Sequence, residues 1–342
     1  MRSILYPLSL QVNGGPCFED GVWSGFVSFD TPGLTLGQLE AVARYYYSLG
    51  YGYFCPTMVT SSPEAYRGNL PVFRAARDFD WGQGILPPHL EGPFLSPDCM
   101  GAHNPAFRQE PTLEFAEQLL DWSEGFLGFL TMAPERVGAL EVIRYLGESG
   151  VSVSLGHMDP VVEEIQAGLE AGATAFTHLL NAATREKISA KDLRMVAQFT
   201  DRRAYSMIIP DAVHVSAYAV TLLAQSKGPD KVIFVSDESP LIGAPVGTTA
   251  EAWGQSFSIR RDDGGTVRSY PLSGSCTSLI EGMNIALGWG VAREVVEMGV
   301  TANAAAFLAP ALRRFGISCE EAPRHSRGVE FRGGLYVAQG EE

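Results

Sequence analysis

Eight short runs rich in β-branched and aromatic residues, each bounded by Gly or Pro, alternate along this chain with helix-like stretches, and few folds accommodate that rhythm. The runs are SILYPLSLQVNG (3–14), YGYFCPTMVT (51–60), GILPPHLEG (84–92), GFLTMAP (128–134), VSVSLGH (151–157), AFTHLLNA (175–182), AYSMIIPDAVH (204–214) and KVIFVSDE (231–238). They are nearly continuous in apolar residues, as strands buried on both faces of a parallel sheet read. Between them, segments such as 35–50, 112–125, 134–150, 159–172, 189–201 and 216–228 carry apolar residues at three- and four-residue steps. Several of these open on Ser, Thr, Asp or Pro and close on Gly, the ordinary helix boundaries. Val161, Ile165 and Leu169 are expected on one such face, ended by Gly172. The pattern permits a closed (β/α)8 barrel or an open doubly wound sheet. No GxGxxG follows a strand, so an α/β fold of the (β/α)8 TIM-barrel type is expected.

The chain's 342 residues allow one large domain or two ordinary ones. The pattern favours one barrel over 1–315, carrying a hairpin insertion at 241–275, where Asp263-Gly264-Gly265 separates two alternating runs. The tail, 316–342, is short and able to form one or two strands. A hydrophobic share of 46%, with 18 Phe and 12 Tyr, supports a large core and excludes a disordered chain. The net charge of −14 repels phosphate backbones and anionic lipid, so neither nucleic acid nor membrane is expected as a partner. No unbroken apolar run approaches the ~20 residues of a spanning helix. The N-terminal MRSILYPLSL lacks a small-residue cleavage site and reads as mature protein. The five cysteines (17, 55, 99, 276, 319) form no CxxC pair, which argues against a disulfide framework or a cysteine–zinc site. A cytoplasmic globular protein is the expectation.

In such a barrel, chemistry belongs to the C-terminal ends of the strands and the loops that follow them. Five of the 6 histidines, His89, His103, His157, His178 and His214, fall in those places, and His325 lies in the tail. One strand-end histidine is most simply a hydrogen-bonded structural group. Five on one face point to a polar, metal-binding site. Imidazole with carboxylate suits zinc or another borderline divalent ion, and a catalytic site needs three protein ligands and an open position. Glu91, His157 and His178 are the expected ligands, too far apart in sequence for any local motif to join. Asp237 is the remaining candidate for proton transfer, although a strand-end Asp taken alone is as readily a helix cap.

At these residues the chain resembles the N-acetylglucosamine-6-phosphate deacetylase family of the amidohydrolase superfamily. The likeness rests on HLEGPFLSPDCMGAHNP (89–105), followed in the family's order by SLGHMDP (154–160), THLLNAA (177–183), DAVHVS (211–216), VSDE (235–238) and LSGS (272–275), and covers about residues 4–315. It implies metal ligation by Glu91, His157 and His178, with Asp237 as acid/base and His103 polarising the scissile carbonyl. Ala102, Asn181, Ala182 and His214 match positions that contact sugar or phosphate. Arg185 resembles an arginine that grips the phosphate, reaching across a homodimer. Leu272, Ser273, Gly274 and Ser275 match the loop against the acetyl group.

The substrate so implied is N-acetylglucosamine 6-phosphate, cleaved to glucosamine 6-phosphate and acetate. The alternatives are another N-acyl amine or a non-catalytic ligand-binding barrel. Where many superfamily members carry His-x-His for a second metal, this chain has Gln11-Val12-Asn13. One divalent ion per chain is therefore expected, zinc first, with iron, cobalt or manganese able to take the same ligands. Gln11 is then free to touch substrate. Two further departures are a largely missing accessory β-sandwich, of which the tail is the expected remnant, and Ser236-Asp237-Glu238-Ser239 in place of Thr-Asp-Ala.

Overall fold

The structure, a computed structural model, describes residues 4–181, 193–262, 266–320 and 323–340, with residues 193 and 194 described by their backbone alone. The chain opens with β1 (Leu8–Val12) and a hairpin of β2 (Gly14–Glu19) and β3 (Val22–Ser28), then α1 (Leu36–Ser48), β4 (Tyr53–Met58), α2 (Pro63–Ala76) and β5 (His89–Glu91). It continues through α3 (Leu113–Trp122), β6 (Phe129–Met132), α4 (Ala139–Glu148), β7 (Ser152–Leu155), α5 (Val162–Ala171), β8 (Ala175–Phe176) and α6 (Leu193–Thr200). Next come β9 (Tyr205–Ile208), α7 (Ala217–Lys227) and β10 (Val232–Phe234). A three-stranded antiparallel sheet of β11 (Thr249–Ala252), β12 (Gln255–Arg261) and β13 (Val267–Tyr270) precedes α8 (Leu279–Gly288), α9 (Arg293–Gly299) and α10 (Ala302–Arg314). The chain ends in a hairpin of β14 (Val329–Arg332) and β15 (Leu335–Ala338), which pairs through Val329 with Leu5.

Strands β1, β4, β5, β6, β7, β8, β9 and β10 pair in that order, all in parallel, with helices outside. The barrel closes just past the ends of its first and last strands. Asn13 N–H donates to Glu238 O at 3.1 Å, and Glu238 N–H donates to Gln11 O at 3.2 Å. The helices begin where the sequence says. Thr35 with Gln38 and Ser278 with Glu281 form reciprocal capping boxes, and Ser62 and Thr112 cap α2 and α3. Ile165 and Leu169 are buried as expected, but Val161 is 56% exposed because it precedes the first helical turn, its N–H held by Glu164.

One end of the barrel is plugged. Phe307, Leu308 and Leu312 of α10 pack on Leu8, Tyr53, Phe129 and their neighbours at the strand starts. Ser152 Oγ donates to Phe307 O at 2.6 Å, and Asn303 Nδ2 donates to Val232 O at 2.7 Å. The span Arg293–Arg314 is long and apolar enough, by length and composition, to cross a membrane, which a search for unbroken apolar runs passes over. Its window is 56% buried within the fold. With the bottom filled by aromatic rings, the strand ends at the top are left to form a cavity.

Candidate active site

Glu91, His157 and His178 come together at that top end. His178 Nε2 lies 2.6 Å and His157 Nε2 2.8 Å from the same Glu91 oxygen, Oε1, and the two Nε2 atoms are 3.2 Å apart. All three residues are buried, and among the described residues they are the one group of His, Cys, Asp or Glu with ligand atoms converging within 4.8 Å. His157 and His178 reach this point from strained backbone, at φ 50 and 24, and Asp237 does the same at φ 52. Non-glycine residues in the left-handed region are uncommon and gather at functional sites.

The hydrogen bonds assign the ring protons. His157 Nδ1 faces Cys99 O at 2.8 Å, and a carbonyl only accepts, so the neutral ring carries its proton there and leaves Nε2 bare. The bare Nε2 of His157 and the Glu91 carboxylate oxygen therefore meet at one point with Nε2 of His178, whose Nδ1 has no partner to hold its proton. A shared positive charge reconciles such an arrangement, and the donor set suits a divalent cation. Burial works to raise the Glu91 carboxyl, but its contacts with His103, His157 and His178 outweigh that and hold it well below the carboxylate range. Burial would likewise depress His178, yet the Glu91 carboxylate lifts it above the ordinary imidazole value.

His103 has the opposite tautomer. Thr60 N–H donates to its Nδ1 at 3.1 Å, so Nε2 bears the proton, 3.9 Å from Glu91 Oε1. Burial above all pushes His103 down to about 4, which keeps it a neutral donor. Asp237 sits on the same floor, its Oδ1 accepting from Asn13 Nδ2 at 2.9 Å. Burial, and then the negative charge of Glu91, raise it above the usual carboxylate value. His214 Nδ1 is tied to Asp211 Oδ2 at 2.6 Å, and Ser275 Oγ donates to that oxygen at 2.8 Å. The buried His214 Nε2 is left without a partner.

A cavity of about 320 Å³ joins these groups. Besides the residues above, its lining includes Ala102, Asn181, Leu272, Ser273 and Gly274, all expected from the sequence. Gln11 and Ser275 lie behind it. Gln11 is fully buried with both amide atoms unpartnered, and Ser275 touches Asp211. Ala182 and Arg185 lie outside the described residues. His89 departs from the expectation of a rim histidine. One layer below Glu91, it stacks on Phe129 at 3.8 Å and bonds Thr131 Oγ1 at 2.8 Å, and burial pushes it down to about 3. Sequence reasoning missed Val59 and Trp253 in the wall, and the anchoring atoms Thr60 N and Cys99 O. Nothing local in the sequence marks any of them.

No protein-family model matches the chain. It is 31% identical over 249 residues to N-acetylglucosamine-6-phosphate deacetylase of Danio rerio, covering 70% of this chain and 59% of that one. It is 29% identical over 234 residues to N-acetylgalactosamine-6-phosphate deacetylase of Escherichia coli O157:H7, with 68% of this chain and 61% of that one covered. The chain thus spans about three-fifths of the length of these curated relatives. Its fold superposes on the crystal structure of N-acetyl-D-glucosamine-6-phosphate deacetylase from Mycobacterium smegmatis with a TM-score of 0.80 at 24% identity, covering 98% of this chain and 84% of that one. A mutant of that enzyme in complex with N-acetyl-D-glucosamine-6-phosphate gives a TM-score of 0.78 at 24% identity, over 98% and 86% of the two chains. By sequence the chain is similar to N-acetylglucosamine-6-phosphate deacetylases over about three-fifths of their length, and its barrel has the fold of their solved structures.

Proposed function

We propose that this protein hydrolyses the acetamide of an N-acetyl amino sugar, N-acetylglucosamine 6-phosphate first among candidates, to the free amine and acetate. The observation that carries the reading is the convergence of Glu91, His157 and His178 beside a buried Asp237 in one cavity. Glu91, His157 and His178 would hold one divalent cation, zinc by the chemistry of the donors. A single ion is proposed because neutral amides, Gln11 and Asn13, stand where a second ion would be held by imidazoles. Bound there, such a cation supplies Lewis acidity and lowers the pKa of water at the site to roughly 7.

The chain's own groups supply the rest. Asp237, with Oδ1 held by Asn13, keeps its other oxygen for the proton of the attacking water and passes that proton to the departing nitrogen. The neutral His103 offers Nε2–H to the carbonyl oxygen as negative charge develops on it. His214, oriented by Asp211, presents Nε2 to a polar group of the sugar or its phosphate. The relatives' names and the ligand bound to the Mycobacterium enzyme support a phosphorylated hexosamine. A homodimer, with Arg185 crossing to the partner's site, follows from the same likeness. Acetate release from N-acetylglucosamine 6-phosphate, its galactosamine epimer and the unphosphorylated sugars tests the reading. Turnover of the phosphorylated sugars supports it; turnover of none removes it.

A further inference from the structure

We propose that Trp253 sets how large an acyl group this site accepts, an inference that rests on the deacylase reading and deepens it. The cavity divides its lining by polarity. Asn181, His214 and Ser273 offer polar groups, while Val59, Ala102, Trp253 and Leu272 supply an apolar wall. A polyhydroxylated amine requires the first set and the hydrocarbon of an acyl group the second, because a hydroxyl buried against carbon is left unpaired at a cost. Trp253 is the largest member of the apolar wall, and it has a cavity on each side. Beyond it lies a second space of about 310 Å³, whose walls include Asp30, Thr60, Asn104 and Phe107. The indole is the partition between the two.

The partition is fastened from several elements. Trp253 Nε1–H donates to Asp30 Oδ2 at 2.8 Å, and Asp30 in turn accepts from Ser28 Oγ at 3.2 Å and Ser61 Oγ at 3.0 Å. Phe257 meets the indole edge-on at 5.8 Å. Gln255 Nε2 donates to Ala102 O at 3.1 Å, tying the β11–β12 turn to the loop that carries His103. The turn itself is strained, with Trp253 at φ 54 and Gly254 at φ 75. A Cβ at residue 254 would stand 3.0 Å from Asn104 Nδ2, so the turn is pressed closely onto the rim. A turn that merely joined two strands would need none of these attachments. With the ring in place the acyl compartment ends at the indole; with the ring removed the two cavities become one.

The test compares kcat/KM for N-acetyl and N-butyryl forms of one amino sugar phosphate in the cation-loaded wild type and in Trp253→Ala, Trp253→Leu and Trp253→Phe. One methylene in a fitted apolar pocket is worth roughly 10- to 200-fold, so the wild type is expected to favour acetyl by about 100-fold or more. Trp253→Ala should lower that preference at least about tenfold, Trp253→Leu less, and Trp253→Phe, which keeps a ring, by under about threefold. Titration calorimetry of the same ligands into Asp237→Asn, with and without Trp253→Ala, reads the size limit without turnover. An unchanged acetyl preference in folded Ala and Leu variants overturns the partition. Wild type that releases no acetate from any of these sugars removes the deacetylase reading instead. The binding comparison then decides the partition: a size ranking that relaxes in Trp253→Ala upholds it, and no ranking or no binding overturns it.

Discussion

Two histidines in contact do opposite work because the backbone gives them opposite tautomers. Cys99 O fixes the proton of His157 on Nδ1, and Thr60 N–H fixes that of His103 on Nε2. The first ring presents a lone pair and the second a proton, which is the division a metal-assisted hydrolysis needs. His103→Ala should therefore cost about 10²- to 10³-fold in kcat while leaving cation content unchanged, as measured by steady-state kinetics with elemental analysis. Asp237→Asn should likewise keep the cation and lose about 10²- to 10⁴-fold in kcat. Residue types at strand ends were legible without a structure; tautomers were not. They depend on a carbonyl 58 residues and an amide 43 residues away, neither with any signature of its own. His89 carries the complementary lesson. It stands two residues before Glu91 on the same face of β5, yet one layer deeper both its ring nitrogens face threonine hydroxyls.

At the scale of elements, the alternation of apolar runs and amphipathic stretches located all eight barrel strands, because burial on both faces leaves a continuous signal. The β2–β3 hairpin escaped because its outer residues are exposed and its alternation is weak. Asp20-Gly21, at φ 51 and 79, is the turn that would have betrayed it. The Asp263-Gly264-Gly265 turn expected in 241–275 lies outside the described residues, and the reach of the three-stranded sheet over the rim was not legible, since Trp253 finds Asp30 from 223 residues away. The floor is the element on which the rest stands. Phe307 is buried edge-on against Phe129 at 5.0 Å, with Tyr205 beside it at 6.3 Å. Phe307→Ala should destabilise the fold by about 3–5 kcal/mol, read as a lowered midpoint in urea. The cavity lies at the opposite strand ends, so the cation content of the folded fraction should hold.

Across the whole molecule, the barrel's seam also responds to pH. Glu238 closes the first strand onto the last through its backbone, and its side chain is enclosed by Tyr51 and Ser9. Burial pushes its carboxyl up from 4.5 to about 7. Between those values the folded chain holds a proton that the unfolded chain has released. Its contribution to stability is therefore best below about 4.5 and is lost as pH rises through about 7. The urea midpoint of the wild type should fall relative to that of Glu238→Gln between pH 5 and pH 8, and parallel curves would place the seam's pH response elsewhere. Everything else rests on folding having delivered three distant residues to one point. Elemental analysis of the purified protein beside Glu91→Gln and His178→Ala tests that most directly. One divalent ion per chain in the native protein, falling well below one in both variants, is the expected result; two ions, or one that survives both substitutions, would contradict it.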